Sequence, residues 1–423
     1  MVPVDAAKKV IVCFLLFSFT LSSCVRPDDG PSPFDTLTRA TEQPESLPQS
    51  PVAGPHFALI PDAELVFGPT TAGFDIKAEV AAFGGYLAGY SEVVNEEMLS
   101  GAAIVERIAR EYSVHPRLLL AILQYRSGWV MGDDPDRFPF FIEDDGSEAI
   151  LFRQLSTIAD LLNYGFYARR VGGLPAVATI DGVELILSRE VNDATAAVQY
   201  ALSQLLGYYA WMDAVNLPGL RAAYASLFDD PFAYEIALLP DNLTQPEMAL
   251  PFAEGECWFF TSGPHSGWGT GAAWAALDFA PDEEGWGCYE TASWVTAVAD
   301  GPIVRTGDGI VVQDLDGDGD EGTGWTVLYM HIADEGKATL GQDLKTGDRV
   351  GHPSCAGGPA TGSHLHIARR YNGEWIPADQ DIPFILSGWV SRGDGLEYDG
   401  TLQKGENVIK AAGFPTDENK VFQ

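Results

Sequence analysis

Thr361-Gly-Ser-His-Leu-His-Ile-Ala-Arg-Arg370 alternates apolar and polar residues and runs on to Asn372-Gly373. Period-two alternation that leaves a tight loop and ends at an Asn-Gly pair predicts a β-strand followed by a hairpin turn. On a strand the side chains at i and i+2 share a face, so His364 and His366 should project into one cleft. Such a pair suits a metal or catalytic site, and equally an ordinary half-buried strand. Residues elsewhere bear on the choice. Gly263-Pro-His265 opens a Gly/Trp-rich loop that ends at Trp274-Ala-Ala-Leu-Asp278-Phe-Ala-Pro281, and Trp325-Thr-Val-Leu-Tyr-Met-His331 is a second strand pattern ending in histidine.

Zinc accepts imidazole nitrogen and carboxylate oxygen in a tetrahedron, and a catalytic site uses three protein ligands with the fourth position open to water. His265, Asp278 and His366 can fill the three places. His331 and His364 are then available for proton transfer and oxyanion stabilisation. His352, in Gly351-His-Pro-Ser354, has no partner in this pattern and reads as structural.

An early His and Asp, a middle Tyr-x-His and a Gly-x-His-x-His strand resemble the lysostaphin-type, LytM-like zinc endopeptidases. Cys355-Ala-Gly-Gly-Pro-Ala-Thr-Gly-Ser-His364-Leu-His366, the long spacing from His265 to Asp278, and Leu386-Ser-Gly388 are similar to the β-lytic and staphylolytic subgroup. The resemblance spans residues 250–400. It implies a mostly antiparallel β fold, one Zn2+ held by His265, Asp278 and His366, His331 and His364 as catalytic histidines, and hydrolysis of peptides in peptidoglycan. Two rival readings are a non-catalytic wall-binding or hydrolase-activating scaffold and a general secreted metalloprotease. Trp258, Trp268, Trp274, Trp286 and Trp294 lie near the first half of the site in sequence, where they can line a substrate groove or pack the core.

Lys8 and Lys9 precede an apolar run, Val10 to Leu21, that is too short to span a bilayer and reads as an export signal. Leu21-Ser-Ser-Cys24 resembles a bacterial lipobox, which implies lipidation of Cys24 and membrane anchoring; ordinary signal cleavage is the alternative. A Pro/Ser/Thr-rich stretch follows, with too few apolar residues to pack, and is expected to be a disordered tether.

Residues 102–111, 117–125, 150–167 and 194–206 place apolar side chains at three- and four-residue spacing, predicting amphipathic helices. Within them, the stretch from Tyr112 to Trp129 resembles the start of a lysozyme-like transglycosylase domain. The glutamate expected before the Ser-Gly pair is replaced by Arg126, which cannot act as a general acid near neutral pH, so a binding or spacer role is expected. His115, before Pro116, reads as a capping or surface residue.

Asp314-Leu-Asp316-Gly-Asp318-Gly-Asp320 matches the first half of an EF-hand loop, but Trp325 stands where the bidentate glutamate belongs. Asp314, Asp316 and Asp318 are therefore a candidate Ca2+ site or a solvated Asp/Gly turn. A formal net charge of -35, from 60 acidic against 25 basic residues, argues against nucleic acid as a partner. An exported chain allows disulfides. Of the five cysteines, Cys257, Cys288 and Cys355 lie beyond the leader; Cys288 with Cys355 is the favoured pair, and Cys257 with Cys288 the second.

The expected architecture is α+β in two domains. It comprises a lipoprotein signal (1–23), a tether (24–60), an all-α, lysozyme-like region (61–245), a zinc endopeptidase domain (250–405) and a C-terminal tail (406–423).

Overall fold

The computed structural model describes residues 52–134, 149–285 and 287–423. The predicted signal (1–23), Cys24, Trp286 and residues 25–51 of the predicted tether lie outside the described residues. Two short stretches depart from expectation at the ends. Leu59 and Ile60 are buried and Ala53 bridges Ile186, so packing begins well before residue 61, because Phe57, Leu59 and Ile60 supply apolar surface.

The helices begin and end where their capping residues dictate. They are α1 (Ile76–Phe83), α2 (Tyr86–Gly89), α3 (Gly101–Tyr112), α4 (Pro116–Ser127), α5 (Ile150–Arg170), α6 (Asp193–Ser203), α7 (Tyr208–Ala214) and α8 (Ala222–Phe228). Ser100 caps α3 by accepting from the Ala103 N–H, and Ile104, Val105 and Ile108 bury one face at helical spacing. Pro116 starts α4, and Gly128 in the left-handed region ends it. His115 is indeed a cap, its ring accepting from the Arg117 N–H, yet it is wholly buried beside Glu64 and is not a surface residue. Gly165 lets α5 and α6 touch: a Cβ there would stand 2.7 Å from the Ala197 Cα.

This region is not all-α as expected. Hairpins β1/β2 (Ser91–Val94, Glu97–Ser100) and β3/β4 (Ala176–Ala178, Glu184–Ile186) interrupt it. Asn95 and Glu96 both adopt positive φ, a turn geometry that apolar periodicity does not reveal.

From Cys257 onward the chain is β. Strands β5 (Cys257–His265), β6 (Ala276–Pro281), β8 (Gly301–Gly307), β9 (Ile310–Asp314), β10 (Trp325–Met330), β11 (Asp343–Leu344), β13 (Leu365–Tyr371), β14 (Glu374–Trp375) and β19 (Lys420–Phe422) form a 9-stranded antiparallel sheet among the described residues. Its order is β11-β8-β9-β10-β13-β6-β5-β19, with β14 pairing β13. β7 (Val295–Thr296) pairs β12 (Arg349–Gly351), while β15 (Ile385–Leu386), β16 (Trp389–Gly393), β17 (Gly400–Lys404) and β18 (Asn407–Lys410) make a second sheet. Residues 406–423 are therefore no tail. β18 zips onto β17 and β19 onto β5, because Ile409 and Val421 have an apolar core to enter.

The long sheet separates two cores. Val311, Val327, Tyr329, Leu365, Ile367, Leu277 and Phe279 point to one face, packed by the smaller sheets. Ile310, Val312, Leu328, Met330, Ala368, Ala276 and Trp375 point to the other, where they share a core with the helices. By the period of two, His366 and Asp278 lie on this helix-covered face.

The helices grip that face through charged and polar contacts as well as apolar ones. Glu321, buried, accepts from Arg110 of α3, Arg305 of β8 and Arg370 of β13. Arg170 of α5 bonds Glu374 of β14 and also faces Asp62 and Asp193. Asn372-Gly373, the predicted hairpin turn, is driven into the helical region: Asn372 donates to Leu238 O and Ser113 Oγ to Gly373 O. Among the described residues, no helix is long and apolar enough to cross a membrane.

Candidate metal centre

Adjacent strands bring the predicted ligands together. His366 of β13 lies opposite Asp278 of β6, and His265 ends β5 opposite Ala276. His265 Nε2, Asp278 Oδ1 and His366 Nδ1 stand 2.9 Å (His–His), 3.2 Å (His265–Asp278) and 3.3 Å (His366–Asp278) apart. Zinc bonds of roughly 2.0–2.2 Å at tetrahedral angles need ligand atoms about 3.3–3.6 Å apart, so this triangle is close to one face of such a tetrahedron.

The protonation pattern makes the same point. His265 Nδ1 donates to Gly263 O at 2.8 Å, and His366 Nε2 donates to Gly267 O at 3.2 Å. With those hydrogens committed to carbonyls, the neutral rings turn His265 Nε2 and His366 Nδ1 toward each other and toward a carboxylate oxygen, while burial lowers the His265 pKa and Asp278 more than offsets it. Asp278 Oδ1 is buried and receives no hydrogen bond. Three lone-pair donors aimed at one point, each ring oriented from behind by a backbone acceptor, are what a divalent cation requires and what neutral packing would avoid. Burial pushes the Asp278 carboxyl up, but His265 and His364 pull it well below the usual carboxylate range, so it is ionised.

The other two histidines border this triangle. His364 precedes β13 in a bridge to Ser354; its Nδ1 donates to Gly362 O and its Nε2 lies 3.7 Å from Asp278 Oδ2. His331 follows β10 with φ +65, a left-handed conformation that breaks the strand alternation. Its ring consequently joins the cluster, 4.4 Å from that of His364 and 6.2 Å from that of His366. Its Nδ1 donates to Ala356 O at 2.8 Å, leaving Nε2 bare. Burial, with His364 and His366 nearby, lowers its pKa to about 3 and keeps it neutral. The cluster thus sets two further imidazoles, with His364 Nε2 near Asp278 Oδ2, beside the three candidate ligand atoms.

Tyr398, which sequence reasoning missed, stacks on His265 with ring centroids 4.8 Å apart. Its backbone adopts φ +70, its N–H donates to Pro264 O and its carbonyl accepts from the Gly263 N–H. That two-way clamp fixes the residues before His265. Only the Gly/Asp-rich composition of 393–400 hinted at a special backbone there.

Other predicted residues sort themselves plainly. Cys288 and Cys355 are bonded, which pins the loop before β13 to the segment after β6, and Cys257 is free and half-buried. Trp258 stacks on Phe252 in the core and Trp274 is buried, so neither lines a groove; Trp268 lies edge-on to Tyr112, and Trp294 packs on His352. His352 donates to or accepts from no member of the cluster; its Nδ1 bonds Ser293 O. Carboxylate oxygens of Asp314, Asp316 and Asp318 lie within 4.8 Å of one another. The Asp314 carboxylate is taken up by the N–H groups of Asp316, Gly317 and Gly319, as in an Asp/Gly turn.

Comparison with known proteins adds relatives for both halves. Protease LasA of Pseudomonas aeruginosa is 26% identical over 337 residues, 74% of each chain. An alignment of that length spans both the helical and the β region. The chain is similar to protease LasA along most of its length. β-Lytic metalloendopeptidase of Achromobacter lyticus is 27% identical over 171 residues, 38% of this chain and 41% of that one. The family model described as "LasA, N-terminal domain" matches residues 58–241, which are the helical region. Among solved structures, the M23 metalloprotease pseudoalterin from the deep sea is 22% identical, with 40% of this chain and 96% of that one covered and a TM-score of 0.33. The resemblance drawn from the histidine pattern, to a LytM-like endopeptidase of the β-lytic and staphylolytic subgroup, is borne out by the curated relatives.

Proposed function

We propose that this protein is an exported zinc-dependent endopeptidase that hydrolyses peptide bonds in peptidoglycan cross-links. The observation that carries the reading is the convergence of His265 Nε2, Asp278 Oδ1 and His366 Nδ1, with both imidazoles backed by carbonyls. Relatives named as a protease and a metalloendopeptidase support it. Zinc in that position would acidify a water and polarise the scissile carbonyl.

The chain's own residues supply the rest. Asp278 contributes the one anionic ligand and its second oxygen faces His364 Nε2. His331, with Nδ1 committed to Ala356 O, is placed to take a proton at Nε2. His364 Nε2 is placed to hold or deliver one at the same cleft. The carbonyls of Gly362 and Ala356 fix both tautomers, so neither ring must reorient.

The two-domain layout, a helical region followed by a β region, and anchoring through a lipid on Cys24 belong to the same reading. The lipobox-like Leu21-Ser-Ser-Cys24 supports the second.

Zinc content and release of new amino termini from purified wall, measured on the protein and on His366→Ala, test the proposal. Near-stoichiometric zinc with cleavage, both lost in the variant, is expected. Stoichiometric zinc with cleavage of denatured protein but not of wall would replace the substrate, and a protein without zinc would overturn the reading.

A further inference from the structure

Residues 266–274 connect two of the three proposed ligands, and a helix far away in sequence holds the tip of that connection. The loop leaves His265, closes on itself through Gly267 N–H to Ala273 O at 3.0 Å, and enters β6, which carries Asp278. Ser266 Oγ braces it from within by donating to Trp268 O. Along the way Gly267 presents the carbonyl that receives the His366 Nε2 hydrogen. One loop therefore joins two ligands in sequence and orients the third.

At the tip, Asp160 of α5 accepts from three donors: the N–H groups of Thr270 and Gly271, each at 2.9 Å to Oδ1, and the Thr270 hydroxyl to Oδ2. The fit is steric as well. A Cβ on Gly271 would stand 2.0 Å from Asp160 O, and one on Gly269, which has φ +60, 2.4 Å from Asp160 Oδ1. Trp268 packs edge-on to Tyr112 of α3 beside this contact. With the tip so gripped, the ligand atoms already stand near tetrahedral spacing, so the grip favours the metal-ready arrangement and does not oppose it.

We propose that Asp160 is a positioning residue for the metal centre. It acts through Thr270 and Gly271 on the loop, through the loop on the Gly267 carbonyl, and through that carbonyl on the His366 ring. The inference rests on the zinc reading above but names a role for the helical region that the ligand pattern alone does not. Loss of an outer partner of a zinc ligand typically lowers metal affinity about 10–100-fold; Asp160 stands one step further out, so a loss on the order of 10-fold is expected.

The test compares the full protein with Asp160→Ala, Asp160→Asn and Thr270→Val. Zinc affinity is read by competition with a chromophoric chelator, hydrogen exchange of residues 266–275 in the metal-free protein, and melting temperature as a control. Asp160→Ala should bind zinc on the order of 10-fold more weakly and exchange faster in the loop. Asp160→Asn keeps an oxygen for both N–H groups and can donate to the Thr270 hydroxyl, so it should restore most of the affinity. Thr270→Val removes one bond of three and should fall between, which keeps the test open if Asp160→Ala folds poorly. Parental affinity in both Asp160→Ala and Thr270→Val would overturn the positioning role while leaving the zinc reading intact. A parent that binds no zinc would overturn both.

Discussion

The two faces of the long sheet follow the same alternation and bury to similar depth, yet they are built from different chemistry. One is mostly hydrocarbon, with Val327, Leu365 and Ile367 closed over by the small sheets and only Gln313 and Arg369 among them as buried polar side chains of β9 and β13. The other mixes Ile310, Leu328 and Ala368 with buried ions and the histidine cluster. A sheet face that must carry a reaction site cannot be sealed by hydrocarbon alone, and here the helices cover the rest of it through buried arginines and carboxylates. The first face is held chiefly by removing surface from water; the second depends more on buried charges keeping their partners.

The largest effect that would sharpen this contrast is on turnover. His331→Ala should cost on the order of 100- to 10,000-fold in wall cleavage, as loss of a proton-transfer group does, while zinc stays bound. Zinc loss in this variant would show that His331 is a ligand. Next comes the ion cluster. Glu321→Ala leaves Arg370 buried with its charge uncompensated and should destabilise by about 3–5 kcal/mol in chemical denaturation. Ile367→Ala, on the hydrocarbon face, should cost about 2–5 kcal/mol through an ordinary cavity. Raised salt should distinguish them poorly because both side chains are buried, and a Glu321→Ala protein as stable as the parent would break the contrast between the faces.

A smaller effect depends on pH. Burial raises the Glu374 carboxyl to about 7, with Asp62 and Asp193 adding to the rise and Arg170 opposing it. A carboxyl raised above its unfolded value of 4.5 favours the folded state while protonated. That contribution is present below the unfolded value and is lost as pH rises through about 7. Glu374→Gln should therefore gain on the parent between those limits, read as a flatter plot of denaturation midpoint against pH. A parallel pair of plots would mean that Arg170 keeps Glu374 ionised throughout. The smallest expected effect is that of calcium. The Asp314 carboxylate is already occupied by three N–H donors, so millimolar Ca2+ should leave the melting temperature unchanged; a clear rise would make the Asp/Gly turn a binding loop.

The meeting of the candidate ligands was legible in the sequence because a strand's alternation is local: His364-Leu-His366 must share a face, whatever packs above it. Helices α3 to α6 were legible for the same reason, since their apolar spacing and caps lie within each segment. What escaped depended on backbone the side chains do not advertise. His331 was expected within a strand, but its left-handed φ places it just past the end and turns the ring into the cluster. Tyr398 and Asp160 reach the site from distant segments, and no spacing rule ties either to His265. The final segment reads as a tail in sequence because Gly413, Pro415 and Asp417 mask short strands whose partners are far back in the chain.

The Asn372-Gly373 turn bears on where this protein can be altered. Hairpin tips are ordinarily the places that accept added sequence. This one is seated in the helical region, where even a single methyl on Gly373 would stand 1.9 Å from Phe67 O. An epitope or fluorophore spliced there would pry the sheet from its cover, whereas the turn at Gly405, with open space around its Cα, should carry such a graft without disturbance.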